Sequence, residues 1–287
     1  AIALDPNNAG IYAQRAEVLN VTGRPEEALR AAEYAMRLNP RGNGGEFITL
    51  ASAYHLLGRC TEAISTLKSL LVRYPDWPSA YPMLSVNYVR QWAFQQSQDA
   101  HTLTQALEAA QRAVALNGSY GFAHAALGYS YLFQRQYEQA ISEMEKVVGL
   151  APSDADGYAV LALVLSHAGK SGEALGMVEE ALRRKPSLVD QHLSPIGTAY
   201  YFAGKPAEAI TPLKQSLSRY PDMLLTHLTL AAAYSELGQI AKAQAAAAEV
   251  LRINPQFSLE VHKKREPLKD PAMLERHIAV LRKAGLK

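Results

Sequence analysis

The feature that most constrains the fold is a pattern that returns seven times, at a period of 34 or 35 residues with one longer interval of 43. It is clearest in a column of alanines. The column consists of Ala28, Ala63, Ala106, Ala140, Ala174, Ala209 and Ala243. Periods of this size are typical of stacked supersecondary units that bury their core between neighbours. The 287 residues are therefore expected to form one elongated array rather than two separate domains.

Other columns keep register with the alanines and predict two helices in each unit. A glycine lies five residues before most alanines, as at Gly58 and Gly204, and is suited to end the first helix; Arg135 departs from this column. A small residue twelve positions before the alanine, such as Gly197, lets the two helices approach closely. A proline such as Pro221 closes most units, because proline cannot continue the second helix.

This pattern resembles the tetratricopeptide repeat, most closely in residues 162–186 and 231–255. The resemblance covers residues 9–257. It implies an all-α fold, a right-handed superhelical solenoid of seven helix-turn-helix repeats whose first helices line the concave side. Residues 1–8 are expected to be the end of a truncated upstream repeat, and residues 258–287 a C-terminal linker and capping helix.

The third unit carries an insertion within residues 89–105. Nine extra residues are enough for about two and a half helical turns. One interpretation is a tolerated loop. The favoured one is a projecting wall that shapes a groove or meets another domain, because the segment contains Trp92 and Phe94 and includes the inward-facing Arg90.

The segment after the last repeat is basic, with eight Lys or Arg against four Asp or Glu in residues 256–287. Apolar residues at helical spacing predict a helix over 272–284, with Asp270 as its N-cap and Pro271 in its first turn. Solenoids need a terminal cap, so we expect this helix to cap the array. A basic interaction tail is the alternative.

The motifs in residues 255–287, such as Pro267 to Pro271 and Leu281 to Leu286, look like the end of the repeat region in bacterial class III adenylate cyclase-type proteins. The long third unit is similar to those regions as well. In that family an N-terminal cyclase or DNA-binding output domain precedes the repeats. The resemblance implies that this chain is the sensory or interaction part of a larger bacterial protein. A start inside a repeat also indicates a piece of a longer protein or a product of processing, rather than deliberate shortening.

Inward-facing positions in units four to seven form an apolar and aromatic stripe. Its members are Phe122, Tyr129, Leu132, Phe133, Leu163, Tyr201, Phe202, Leu225 and Leu228. Some are expected to pack between repeats, and the exposed remainder would form a groove for an amphipathic partner helix. His55 and His167 are expected on the same inner face. The positions that hold a peptide carboxylate in some repeat proteins are Ala13, Ile48, Ala125 and Ala159 here, which disfavours that mode.

Catalytic and cofactor motifs are not evident, so we expect a non-enzymatic protein without cofactor or metal. Gly169 to Ser171 imitates the end of a P-loop, but Val164 stands where the first glycine is required. The eight histidines lack metal-ligand spacing, and a formal net charge of +2 gives no general attraction to nucleic acid. The single Cys60 fits a reducing compartment, which favours the cytoplasm over the periplasm.

These observations predict a protein–protein interaction module that holds a partner helix or peptide in its concave groove. The alternative is a regulatory, sensory or dimerisation domain of an attached enzyme such as a nucleotide cyclase. Self-association through Trp92, Phe94 or the groove would favour the alternative, and a stand-alone scaffold is a third possibility.

Overall fold

The computed structural model describes residues 7–184 and 193–287, and its regular elements there are helices. Seven antiparallel pairs form the repeats. The first helices are α1 (Ala9–Val21), α3 (Gly44–Leu56), α5 (Ala80–Ala93), α7 (Gly121–Phe133), α9 (Ala155–His167), α11 (Leu193–Phe202) and α13 (Leu224–Glu236). The second helices are α2 (Pro25–Leu38), α4 (Cys60–Arg73), α6 (Thr102–Leu116), α8 (Tyr137–Leu150), α10 (Ser171–Arg184), α12 (Pro206–Arg219) and α14 (Ile240–Ile253).

The alanine column lies where the two helices of each unit cross. All seven alanines are fully buried. The small-residue column faces them, and a Cβ added at Gly197 would come within 2.5 Å of Leu213 Cγ. The helices can pack this closely only because both surfaces lack bulk, which is the arrangement that the sequence predicts.

In each unit, the second residue after the end of the first helix has a left-handed backbone. Glycine fills this position in most units, as at Gly58 with φ of 69° and Gly204 with φ of 77°. Two units use other residues, Gln95 with φ of 59° and Arg135 with φ of 61°. L-residues rarely adopt this region, so their retention at these two turns calls for a compensating role of the side chain.

The extra length of the third unit lies between its two helices rather than in a longer helix. Residues 94–101 connect α5 to α6, whereas residues 22–24 are enough to connect α1 to α2. The left-handed Gln95 ends α5 after 14 residues, so the expected additional helical turns do not form. We call residues 94–101 the insertion loop.

The solenoid bends until its early and late units meet. The Arg219 side chain packs against Gly23, and its Nη2 donates to the Val21 carbonyl oxygen at 3.4 Å. In the next unit, Gly58 lies beside Asp222 and Phe94. The first helices therefore enclose a narrow concave interior.

Residues 256–287, called the tail below, follow the last repeat. They contain α15 (Leu259–Arg265) and α16 (Pro271–Lys283). The predicted cap of α16 is confirmed, because the Asp270 side chain accepts a hydrogen bond from the Ala272 backbone N–H at 2.8 Å. The predicted repeat fragment at residues 1–8 lies almost wholly outside the described residues, as does Pro186 of the proline column. No helix in the described ranges combines the length and the apolar character that a bilayer crossing requires.

Candidate functional site: the concave face and the tail

The tail lies against the concave side of the repeats instead of continuing the stack. Helix α16 packs along α13 and reaches α11, and α15 lies near α5. The covered helices are buried almost all round, with eleven of the 13 residues of α13 buried. By contrast, α14 on the outer side has only four buried residues among 14. Helix α16 thus caps the last repeat as predicted, but it does so from the inside.

An apolar contact holds α16 in this position. Ile278 and Leu281 are buried in the same core cluster as Tyr201, Phe202 and Leu228 of the repeats. Burying such side chains stabilises the contact by roughly 1.5–3 kcal/mol each. The concave face therefore binds the apolar side of an amphipathic helix, and this helix is part of the same chain.

The extended link between α15 and α16 is held mainly through its backbone. The Arg135 guanidinium donates to three tail carbonyl oxygens, those of Lys264 at 3.3 Å, Glu266 at 2.9 Å and Leu268 at 3.2 Å. One residue further, the Lys269 N–H donates to the His167 carbonyl oxygen at 2.9 Å. These hydrogen bonds explain why an arginine occupies a position that is glycine in most units.

The insertion loop contacts the first half of the tail. The Gln95 side chain bonds both backbone groups of Ser258, accepting from its N–H at 2.9 Å and donating to its carbonyl oxygen at 2.8 Å. The Arg265 guanidinium lies 3.9 Å from the centre of the Trp92 ring and donates to the carbonyl oxygens of Trp92 and Ser97. The insertion loop is therefore a binding element for the tail.

A buried polar cluster joins the tail to the repeats. Glu266 of the tail lies 3.2 Å from His167 Nε2 and 3.6 Å from His262 Nε2. His262 Nε2 is 3.4 Å from His277 Nε2, and His277 Nδ1 is 3.1 Å from the Tyr201 hydroxyl. The three histidines and the glutamate are each less than 10% exposed as residues.

Burial controls the protonation of this cluster. It lowers the pKa of His277 to about 3, assisted by His262, and it also lowers the pKa of His262. Burial alone would raise the pKa of Glu266, but the hydrogen bond from His167 and the positive potential of His262 outweigh it and lower that pKa to about 2. At neutral pH the cluster therefore holds an ionised carboxylate and a neutral His277.

The structure divides the nine predicted groove residues into two groups. Leu132, Leu163, Tyr201, Phe202 and Leu228 are buried, Leu132 between repeats and the last three next to the tail. Phe122, Tyr129, Phe133 and Leu225 keep partial exposure. The stripe therefore does not form one open groove, because Tyr201, Phe202 and Leu228 share a buried cluster with Ile278 and Leu281 of the tail, and Phe133 packs against this cluster.

The three predicted insertion residues occupy different environments. Trp92 faces the tail, whereas Phe94 is 2% exposed and lies in the core. Arg90 points inward as predicted; its Nη1 donates to the His55 carbonyl oxygen at 2.9 Å, and the guanidinium lies 4.9 Å from the Phe94 ring. Burial and the Arg90 charge lower the pKa of His55 to about 3.

Sequence reasoning missed the residues that bind the tail. The pattern does not single out Gln95 or Glu266 as candidates, and it places His167 on the inner face without a partner. One signal is available in the sequence, because Arg135 breaks the glycine column. A charged residue at a position that requires positive φ costs backbone energy, so it indicates a side chain with a specific contact.

Two observations on the described ranges concern metal binding and thiol reactivity. No group of three or more His, Cys, Asp or Glu side chains is arranged there to hold a metal ion. Cys60 is fully buried, and burial raises the pKa of its thiol.

Three family models with the description tetratricopeptide repeat match residues 49–76, 125–188 and 203–265. The chain is an array of tetratricopeptide repeats. Each match covers helices of the pairs described above, and the family model for residues 203–265 extends through α15. Comparison with curated proteins found no match.

Solved structures share this architecture. A thermophilic tetratricopeptide repeat protein from Thermus thermophilus has 25% identity and a TM-score of 0.60, over 67% of this chain and 98% of that one. The Cut9–Hcn1 hetero-tetramer of the APC/C gives a TM-score of 0.64 at 15% identity, over 94% of this chain and about half (54%) of that one. A repeat protein from Parabacteroides merdae gives 0.52 at 14% identity, over 94% and 98%. The last two similarities concern the fold alone.

Proposed function

We propose that this repeat array is a non-catalytic protein-interaction module that binds an amphipathic helix of a partner on its concave face. The observation that carries the proposal is α16, which lies with its apolar side against α11 and α13. A face that accommodates this helix has the shape and the apolar side chains to accept another one of similar pattern. Tetratricopeptide arrays are built for such contacts, because their stacked first helices form an extended concave surface.

The tail determines how the face is used. A partner helix that binds at units six and seven must displace α16, whereas Phe122 and Tyr129 of unit four are partly exposed. An intramolecular occupant multiplies the apparent association constant of any competitor by the fraction of molecules in which the tail is released. The proposal therefore includes a resting form in which the tail occupies the site.

A peptide-binding experiment tests this function. In the full chain, Ile278→Glu with Leu281→Glu removes the apolar anchor of α16, and a fluorescent peptide of residues 270–287 is then titrated. Saturable binding that is lost on adding Phe202→Ala is expected, because Phe202 contacts the helix through His277 at 5.5 Å between ring centres. Absence of saturable binding to a chain with a native circular-dichroism melt would refute the function. A natural partner should compete with the peptide.

We further propose that the module belongs to a larger bacterial, cytoplasmic protein. Support comes from the similarity of residues 255–287 to the repeat regions of cyclase-type proteins. In such a protein the array would act on the attached output domain or pair with a second copy. The intact mass of the endogenous protein decides between these arrangements: a mass near 31.3 kDa contradicts the larger parent. Light scattering of the isolated chain tests the pairing.

A further inference from the structure

The insertion loop and the end of α5 build a socket for a guanidinium group. Arg265 stacks on the Trp92 ring, and its Nη1 donates to the Trp92 carbonyl oxygen at 2.7 Å and the Ser97 carbonyl oxygen at 3.0 Å. Its Nη2 donates to Gln98 Oε1 at 3.1 Å. A flat aromatic face with acceptors around its edge matches a planar fork of N–H donors. A lysine ammonium would fit this geometry poorly.

The charge of Arg265 is balanced without a carboxylate in the described part of the chain. Its partners there are carbonyl dipoles, one amide oxygen and the aromatic ring. Residue Arg265 is only 9% exposed, and burial lowers the pKa of the guanidinium. The socket therefore selects arginine by shape rather than by a simple ion pair.

The other hydrogen bonds to this stretch of the tail go mainly to its backbone. Gln95 bonds the backbone of Ser258, Arg135 bonds three carbonyl oxygens, and the His167 carbonyl accepts from the Lys269 N–H. Backbone contacts are available to any segment that follows the same path. Two charged side chains of the tail are also held on the inner side, Arg265 in the socket and Glu266 beside His167, next to the buried apolar residues Phe257, Leu259 and Leu268.

We propose that the socket formed by Trp92 and the insertion loop is a specificity site for an arginine side chain of the partner. The partner segment carries an arginine followed by an acidic residue and then an amphipathic helix, and it replaces tail residues 265–283. This inference rests on the proposed function, because it names the part of the partner that the concave face recognises.

Ion pairs contribute little to the docking of the tail. Residues 256–287 carry a formal charge of +4, against −2 for the remainder of the chain. Its outer ion pairs, Arg276 with Glu236 and Lys269 with Glu138, join partly exposed side chains. Exposed pairs of this kind contribute little stability, so the tail depends on the socket, the backbone bonds and the apolar side of α16. A partner that supplies all three can compete.

Binding of a tail peptide in trans tests the socket. The probe is a fluorescent peptide with the sequence of residues 256–287, titrated into the full chain and into its Arg265→Lys variant. This variant keeps the charge and the stem but loses the stacked fork, so the bound tail is weakened without a large change in the fold. We expect the wild-type peptide to bind the variant at least about tenfold more tightly than the wild-type chain. A peptide that itself carries Arg265→Lys should lose that gain.

The outcomes separate the socket from the general function. Equal affinity of the two peptides for the variant chain would overturn the socket. If a shorter peptide of residues 270–287 nevertheless binds the tail-released chain, the helix-binding function stands and only the arginine specificity is wrong. In the Arg265→Lys chain, a further Gln98→Ala substitution removes one acceptor at an exposed position and should weaken the wild-type peptide but not the lysine peptide. Unchanged binding of the wild-type peptide to this variant would also count against the socket.

Discussion

Acidification should open the tail through His277. This imidazole has a pKa of about 3 when buried and about 6.5 when exposed. Its folded-state pKa is therefore depressed, so its contribution to closing is complete above pH 6.5 and is lost as the pH falls toward 3. At pH 5 the loss is about 1.5 pH units at 1.36 kcal/mol each, or about 2 kcal/mol. The population of the open tail should rise about 30-fold.

The charged and titratable neighbours of His277 decide that it is the sensitive group. They come from the tail, from α9, α11 and α13, and comprise His262, Glu266, Arg276, His167, Tyr201 and Glu236. The Glu266 carboxylate lies beside His167 and His262. His277 contacts the Tyr201 hydroxyl, His262 and the Phe202 ring instead, and the Arg276 charge opposes its protonation.

Hydrogen exchange measures this opening directly. The Lys269 amide is bonded to the His167 carbonyl across the tail interface, so its protection factor reports the closed population. Between pH 7.5 and pH 5 it should fall about 30-fold after correction for intrinsic exchange. The Ala140 amide, bonded to Gln136 within unit four, serves as an internal control.

Two variants test whether His277 causes the pH dependence of this protection factor. His277→Phe keeps a ring of similar shape and removes the titration, and His277→Gln serves if the larger ring disturbs packing. Either variant should lose most of the pH dependence of the Lys269 amide. The reasoning fails if the wild-type protection factor is constant over this range, or if the variants fall as steeply as the wild type.

Three other results are expected. Gly197→Ala should lower the free energy of unfolding in urea by about 1–3 kcal/mol, since the new Cβ meets Leu213, whereas Gly176→Ala has no atom within 4 Å and should raise it by about 1 kcal/mol; a loss at both positions would contradict the packing. Arg135→Gly relieves the φ of 61° but removes three hydrogen bonds to the tail, so tail protection should fall at least about tenfold; unchanged protection of the Lys269 amide would refute this role of Arg135. Cys60 should react with Ellman's reagent only as fast as the chain unfolds, and rapid labelling of the native protein would refute its burial.

The repeat architecture was predictable because its determinants are local and periodic. The alanine column marks seven helix crossings, and all seven are buried as expected. The inner face was harder to predict, since positions that face inward alternate with positions that pack between units. Leu132 illustrates this: its register assigns it to the groove, but at 1% exposure it packs with Tyr137 and Ala140.

The docking of the tail could not be deduced from periodicity. The pattern of α16 predicts an apolar side, and the same side would fit the outer end of the stack as well as the concave face. What decides the position is a set of single contacts far apart in sequence, such as Arg135 with Glu266 and Gln95 with Ser258. These contacts are specific to one place in the chain, so no repeat pattern contains them.

The closure between Arg219 and Val21 changes how this array should fold. In an open solenoid each repeat contacts only its neighbours, so folding can begin anywhere and the ends can fray independently. Here the turn of unit one touches the end of unit six, and the tail bridges units three to seven. Contacts over about 100 to 200 residues give the chain a high contact order, which slows folding and couples distant units into one cooperative transition. A shortened array without units six and seven should therefore lose stability in its first unit as well.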